Sequence, residues 1–116
     1  MNWKNLTSLE QFADIDAQSQ SSPVVLFKHS TRCSISATAL SRLERKWNDD
    51  KHPGVDAYFI DLIANRELSN AVAERYGVAH ESPQVLIIDQ GSCVYDNSHF
   101  GITYDEILER IAPASV

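Results

Sequence analysis

The chain has few of the residues that mark several common classes of protein. Its two cysteines, Cys33 and Cys93, are too few for a disulfide scaffold or a four-thiolate zinc site. The four glycines are scattered and build no phosphate-binding loop. Apolar runs such as residues 24–27 are far shorter than a membrane-spanning helix, which needs about 20 apolar residues. The N-terminus has no hydrophobic stretch of signal-peptide type, so we expect a cytoplasmic protein.

Basic residues are also scarce. Sixteen acidic side chains against ten basic ones give a net charge of −6. Nucleic acids and anionic membranes are therefore poor candidate partners, because phosphate contacts need clustered lysine and arginine. The 116 residues are 43% hydrophobic, which is typical of a globular chain. We expect one domain over residues 1–116 with a core that needs no disulfide staples.

Hydrophobic periodicity predicts an α/β protein with the order (β)αβαβαββα. Two T-x-x-E capping boxes, Thr7 with Glu10 and Thr103 with Glu106, predict the starts of the first and last helices. Alternating strands and helices imply parallel pairing, and the short gap before the last strand implies an antiparallel hairpin. We therefore expect a small mixed sheet flanked by helices on both faces. Strands are predicted over residues 3–6, 24–28, 55–61, 84–89 and 92–96, with helices over 7–17, 35–47, 65–76 and from 103.

Cys33 is the residue best placed for chemistry, because it stands where a buried strand gives way to a helix. A sulfur at a helix N-terminus meets unpaired N–H groups and the positive end of the helix dipole, which favours the thiolate. Arg32 and Lys28 could add positive potential, and the alternative for both is a solvated surface charge. The alternative for Cys33 itself is a buried cysteine that acts as a small hydrophobe.

Ser36 stands where a dithiol oxidoreductase would have its second cysteine. A serine cannot attack a disulfide, so Cys33 cannot complete a dithiol cycle with Ser36 and is limited to single-thiol exchange with a mixed disulfide and an external thiol. The alternative, which the sequence alone favours, is that Ser36 is an ordinary residue of the first helical turn. Cys93 is expected to pair roughly with Ile87 in the hairpin, which places it more than about 10 Å from Cys33 if Pro83 lies near that thiol. We therefore predict no disulfide between the two cysteines and a structural role for Cys93.

The wider pattern resembles thioredoxin. A cysteine stands between strand and helix, and Ser82-Pro83 precedes a hairpin and a last helix. The resemblance implies that the Ser82–Pro83 bond is cis and faces the active-site cysteine. It also implies that the backbone beside this proline pairs with an extended substrate.

The stretch from Lys28 to Ser36 resembles, more closely, the monothiol bacilliredoxin-like branch of the bacillithiol system. That branch carries a T-C-P-I-S motif after K-H-S, and its members are implied to remove bacillithiol from protein cysteines. Cys33 would then be the attacking thiol, and Ser36 would replace the resolving cysteine. Arg32 and Ser34 depart from the motif, which has threonine and proline at those positions. Because bacillithiol carries carboxylates, Arg32 and Lys28 could help to hold it.

Three hypotheses follow. The first is monothiol exchange through Cys33 on mixed disulfides between proteins and a low-molecular-weight thiol, with that thiol as co-substrate and no metal or nucleotide cofactor. The second is a binding module that docks partner proteins through the surface around Cys33 and Pro83 without turnover. The third is a redox sensor in which Cys33 forms an intermolecular disulfide. His80, just before Ser82-Pro83, could tune the thiolate or be a plain loop residue.

Overall fold

A computed structural model describes residues 3–31, 34–48, 51–52 and 54–111. Cys33 and Arg32, which carry much of the predicted chemistry, lie outside the described residues. The order of elements agrees with the sequence prediction. The strands are β1 (Trp3–Asn5), β2 (Val24–His29), β3 (Asp56–Asp61), β4 (Gln84–Asp89) and β5 (Ser92–Ser98), and the helices are α1 (Gln11–Ser19), α2 (Ser34–Lys46), α3 (Arg66–Tyr76) and α4 (Tyr104–Ile111).

The strands form one mixed sheet in the order β1-β3-β2-β4-β5. β3 pairs in parallel with both β1 and β2, whereas β4 is antiparallel to β2 and to β5. The carboxyl ends of β1, β2 and β3 therefore lie at the same edge of the sheet as the start of β4 and the end of β5. That edge is where the sequence placed the candidate thiol, immediately after β2.

Hydrophobic side chains cover both faces of the sheet, because successive residues of β2 and β4 point to opposite faces. Val24 and Leu26 belong to the cluster under α1 and α3, and Val25 and Phe27 to the cluster under α2 and α4. All four are fully buried. The uninterrupted apolar pattern of β2 is thus explained by burial on both sides, as is typical of strands inside an α/β sheet.

The prediction for the start of α1 was wrong. The helix begins at Gln11 rather than Thr7, and Glu10, at the N-cap, makes no side-chain capping bond. The Gln11 side-chain oxygen instead accepts the backbone N–H groups of Thr7 and Ser8, at 2.7 and 3.0 Å. The chain therefore turns once before the helix starts, and Leu9 is left 63% exposed rather than packed on the helix face.

Other local signals are confirmed. Gly77 ends α3 in the left-handed conformation with φ of 67°, as a C-terminal glycine should. At α4, Thr103 Oγ1 accepts the Glu106 N–H at 3.4 Å, so this capping box does form on its threonine side. Gln90 and Gly91, both with positive φ, close the β4–β5 hairpin. Within the described ranges, no helix is long and apolar enough to cross a membrane.

Candidate functional site

The candidate site is built around the carboxyl end of β2, where two polar residues follow an apolar strand. Lys28 and His29 are both buried, and Lys28 is fully so. Because they are consecutive in a strand, their side chains leave the sheet on opposite faces. His29 lies on the α2 side and Lys28 on the α3 side. Each therefore contacts a different part of the structure around the strand end.

On the α2 side, His29 contacts the first turn of the helix. Its Nδ1 lies 2.6 Å from the Ser36 hydroxyl oxygen, which also accepts the Ser30 N–H at 3.1 Å. Ser36 is fully buried. Burial lowers the pKa of His29, which favours the neutral imidazole. Ser36 is thus more than an ordinary first-turn residue, because it ties the start of α2 to the end of β2.

On the α3 side, the Lys28 ammonium donates to the Ser69 carbonyl oxygen at 3.1 Å. It also lies 3.3 Å from His80 Nδ1, which is 3.2 Å from the Ser69 hydroxyl. Burial lowers the pKa of Lys28 to about 8. The alternative that Lys28 is a solvated surface charge is therefore wrong. The Lys28 side chain is fully buried on the α3 face of β2, where its ammonium contacts His80 in the loop that precedes β4.

That loop leads into the proline predicted from the thioredoxin resemblance. The Ser82–Pro83 peptide bond is cis, as expected. Gln84, the cross-strand partner of Lys28, donates its side-chain N–H to the Ala79 carbonyl at 3.0 Å and so closes the loop on itself. The hydroxyl of Ser82 and the side-chain oxygen of Gln84 are buried without a partner among the described residues.

A second loop borders Pro83. The His99 N–H donates to the Pro83 carbonyl at 3.1 Å, and the His99 ring lies 3.7 Å from the Glu81 carboxylate. The next residue, Phe100, is 72% exposed. Phe100 therefore exposes most of its aromatic side chain one residue from the backbone bond to the cis-proline.

Cys93 lies far along β5 and has a structural environment. It pairs with Ile88 rather than Ile87, because a register irregularity separates these two β4 residues. Its thiol is free, donates to the Tyr95 carbonyl at 3.2 Å and packs against the α1–α3 cluster. Burial raises the pKa of the Cys93 thiol, which disfavours the reactive thiolate.

The structure thus brings together Lys28, Ser36, Ser82 and Pro83 of the predicted site residues. His29 and Ser69 were missed as site residues. For His29 the signal was available, since a polar residue beside Lys28 at the end of a buried strand needs a partner on the other face. Ser69 had no such signal, because only the packing of α3 places its carbonyl near Lys28. No group of three or more metal-ligating side chains converges in the part of the chain that the structure describes.

The mixed sheet, the four flanking helices and the cis-proline beside a strand-to-helix junction define a protein with the thioredoxin fold. Solved structures with this fold are similar over most of the chain. A candidate oxidoreductase with a thioredoxin fold is 27% identical, with a TM-score of 0.78 and coverage of 92% of this chain and 91% of that one. Thioredoxin O1 from Arabidopsis thaliana is 17% identical, with a TM-score of 0.72 and coverage of 96% and 98%. Thioredoxin f from spinach chloroplast is 18% identical, with a TM-score of 0.70 and coverage of 94% and 89%.

A family model is more specific than these structures. Residues 4–107 match the model described as monothiol bacilliredoxin BrxC. The chain therefore belongs to the monothiol bacilliredoxin family, as the stretch from Lys28 to Ser36 had indicated. Family and fold together give it a thiol–disulfide redox function.

Proposed function

We propose that the protein removes bacillithiol, or a similar low-molecular-weight thiol, from mixed disulfides on protein cysteines, with Cys33 as the attacking thiol. The observation that carries the proposal is Ser36, three residues after Cys33. Its hydroxyl occupies the resolving position, is fully buried and is hydrogen-bonded to His29 and Ser30. A protein with this arrangement has no neighbouring thiol to release a captured small thiol, which favours a one-thiol reaction.

The proposed exchange is balanced without a cofactor. The Cys33 thiolate attacks the bacillithiol sulfur of the mixed disulfide and forms a new disulfide with it. The bond to the target cysteine breaks, and the target leaves as a thiolate that is then protonated. An external thiol or a reductase must reduce the Cys33 adduct afterwards, so we propose a reducing compartment such as the bacterial cytoplasm as the setting.

Charge near the site supports a substrate that carries carboxylates. Among the residues that the structure describes, the Lys28 ammonium contacts a carbonyl oxygen and an imidazole nitrogen but no carboxylate. Its side chain is fully buried, so it would act on an anion through its field rather than by contact. We assign direct contact with a bacillithiol carboxylate to Arg32, which the sequence places next to Cys33.

Protein substrates would dock beside Pro83. The exposed Phe100 side chain offers an apolar contact. The backbone at Ser82, next to the cis-proline, offers hydrogen-bonding groups with which an extended target segment can pair. The buried, unpartnered Ser82 hydroxyl lies at that position. Together these features favour a target protein over a free small disulfide.

The test is a mass measurement of a bacillithiol-modified protein mixed with this one. Transfer of the bacillithiol mass to the wild-type chain, its loss in Cys33→Ser and its persistence in Cys93→Ser would support the proposal. Arg32→Gln should slow transfer from a bacillithiol adduct more than from an adduct with a thiol that lacks carboxylates. If no mass moves although Cys33 reacts normally with iodoacetamide, the proposed reaction is refuted.

A second candidate, a binding module that docks partners without turnover, rests on the same exposed Phe100 side chain. Aromatic side chains are enriched at protein–protein interfaces whether or not a reaction follows binding. In a binding measurement with the same target protein, this module would bind the target whether or not the target is modified. It would retain that binding in Cys33→Ser and lose it in Phe100→Ser.

A further inference from the structure

Lys28 is a buried cation that contacts no carboxylate among the described residues. Its side chain is fully buried, and burial lowers the pKa of its amine to about 8. The contacts of its ammonium are the Ser69 carbonyl oxygen at 3.1 Å and His80 Nδ1 at 3.3 Å. A buried charge is costly unless it is paired, and such a group beside a candidate site favours a functional role. A ligand of negative charge would supply the missing partner.

The ammonium determines which ring nitrogen of His80 carries the proton. An ammonium has three protons and no lone pair, so it can only donate, and His80 Nδ1 must accept. The Ser69 hydroxyl lies 3.2 Å from the same nitrogen. Burial, followed by the charge of Lys28, lowers the pKa of His80, which favours the neutral imidazole. The single proton of this imidazole is therefore on Nε2.

The Nε2–H of His80 is available to a ligand. The residue is exposed although its Nδ1 faces two buried residues, and no described residue forms a hydrogen bond with Nε2. Two more charges act on the ring: Arg66, at the start of α3, lowers the pKa of His80, and Glu81, whose carboxylate lies 3.7 Å from the His99 ring, raises it. A cation that donates to Nδ1 polarises the ring, so the Nε2–H becomes a stronger donor.

We propose that the His80 Nε2–H, supported by the Lys28 ammonium, binds a carboxylate of the substrate beside Pro83. The ammonium, the imidazole and the carboxylate then form a chain of two hydrogen bonds with no net charge. The inference rests on the proposed function in one respect, that a substrate carrying a carboxylate reaches this edge of the sheet. Two parts of the substrate can supply that group: the small thiol of the mixed disulfide, or an acidic side chain of the target protein.

The carboxylate site can be tested without the reaction. Succinate, a simple dicarboxylate, is the probe, and succinamide, its uncharged diamide, is the control ligand. At pH 7 succinate should shift the NMR signals of the His80 ring, and nitrogen-15 spectra should show the ring proton on Nε2. Its affinity should fall about tenfold in His80→Phe and in Lys28→Met, because a hydrogen bond with a charged partner is lost. Lys4→Met, which also removes one cation, is the matched control and should bind succinate as the wild type does.

The pH dependence tests the role of the ammonium. Lys28 is charged below pH 8, so succinate affinity should fall as the pH rises from 7 to 9.5 in the wild type and stay constant in Lys28→Met. By reciprocity, saturating succinate should raise the pKa of Lys28 by about one unit, measured on its side-chain NMR signals. An unmoved pKa of Lys28, a ring proton on Nδ1, or equal binding by the wild type and His80→Phe would each refute the inference.

Transfer assays identify the part of the substrate that carries the carboxylate. If it is the small thiol, His80→Phe should slow transfer from a bacillithiol adduct but not from an adduct with a thiol that lacks carboxylates. If it is the target, the variant should slow transfer from a target with an acidic residue beside the modified cysteine, whichever thiol is attached. Normal rates in every combination would refute a role in the reaction. If succinate binds as expected but the wild type transfers no bacillithiol, the proposed function fails while the carboxylate site stands.

Discussion

Replacing Lys28 by methionine should change the pH dependence of stability in a way that few other substitutions can. Burial lowers the pKa of this lysine from its ordinary 10.5 to about 8. At pH 7 the folded protein therefore holds a proton on a buried amine at a cost of about 3 kcal/mol, at 1.36 kcal/mol per pH unit. Methionine has a similar length and removes the charge.

The sign of the effect follows from proton counts. Between pH 8 and 10.5 the unfolded chain binds the lysine proton and the folded one does not, so stability rises with pH in the wild type. The gain from pH 7.5 to 9.5 is about 2 kcal/mol. Methionine removes this gain and also the hydrogen bonds to Ser69 and His80, worth about 1 kcal/mol each. Lys28→Met should thus be about 1 kcal/mol more stable than wild type at pH 7, and about 1 kcal/mol less stable at pH 9.5.

Urea denaturation of the reduced proteins at several pH values between 7 and 9.5 measures this difference directly. Lys4→Met is the matched control. Lys4 is exposed and its bond with Asp56 raises its pKa, so its proton is held in both states over this range. A constant difference between Lys28→Met and wild type across the pH range would show that Lys28 is not a buried amine with a lowered pKa, and would refute the reasoning.

Three further predictions concern other parts of the chain. Phe100→Ser should raise the KM for a bacillithiol-modified protein about tenfold and leave the reaction with a small bacillithiol disulfide unchanged, because Phe100 is 72% exposed and belongs to neither core cluster of the described residues. An equal effect on both substrates in steady-state kinetics would contradict a docking role. Gly77→Ala should lower the free energy of unfolding by about 1 kcal/mol, because φ of 67° disfavours any side chain, although the added Cβ would meet nothing within 4 Å. Gly77→Asn should lower the free energy of unfolding less in the same urea titration, and equal losses for the two variants would point to a steric cause. Cys93→Ser should lose about 1 kcal/mol of stability, because a hydroxyl replaces a thiol packed against the core, and it should keep its reaction rates; a drop in rate would assign Cys93 a chemical role.

The fold was accessible from the sequence because its signals are local. The periodicity of β4 predicted the observed bounds at both ends, Gln84 and Asp89. Gly77 marked the end of α3 for a conformational reason that no neighbour alters. The start of α1 was missed because the Gln11 side chain reaches back to bond Thr7, a choice that the T-x-x-E pattern does not encode.

The site was harder to predict because its contacts join distant residues. Lys28 contacts Ser69, 41 positions along the chain, and His80, 52 positions along it, and these contacts form only when α3 and the loop after it pack against the sheet. The sequence showed a lysine in an apolar strand but not whether its ammonium reaches solvent. A long side chain at a strand end usually does, so burial here depends on the loop that carries His80 across it.

The position of Lys28 explains why a destabilising charge is placed there. With an apolar residue at position 28 the protein would be more stable at pH 7, because a buried charge without a carboxylate partner generally lowers stability. An ammonium, however, is a donor with three protons, and here it bonds both α3 and the loop that precedes the cis-proline. A methionine could fill the space but would hold neither. Since His29 fixes the first turn of α2 from the opposite face of the same strand, the two consecutive residues position both segments that border the candidate site. The stability lost at Lys28 is thus offset by the order that its hydrogen bonds give to the loop before the cis-proline, where we propose that a target protein docks.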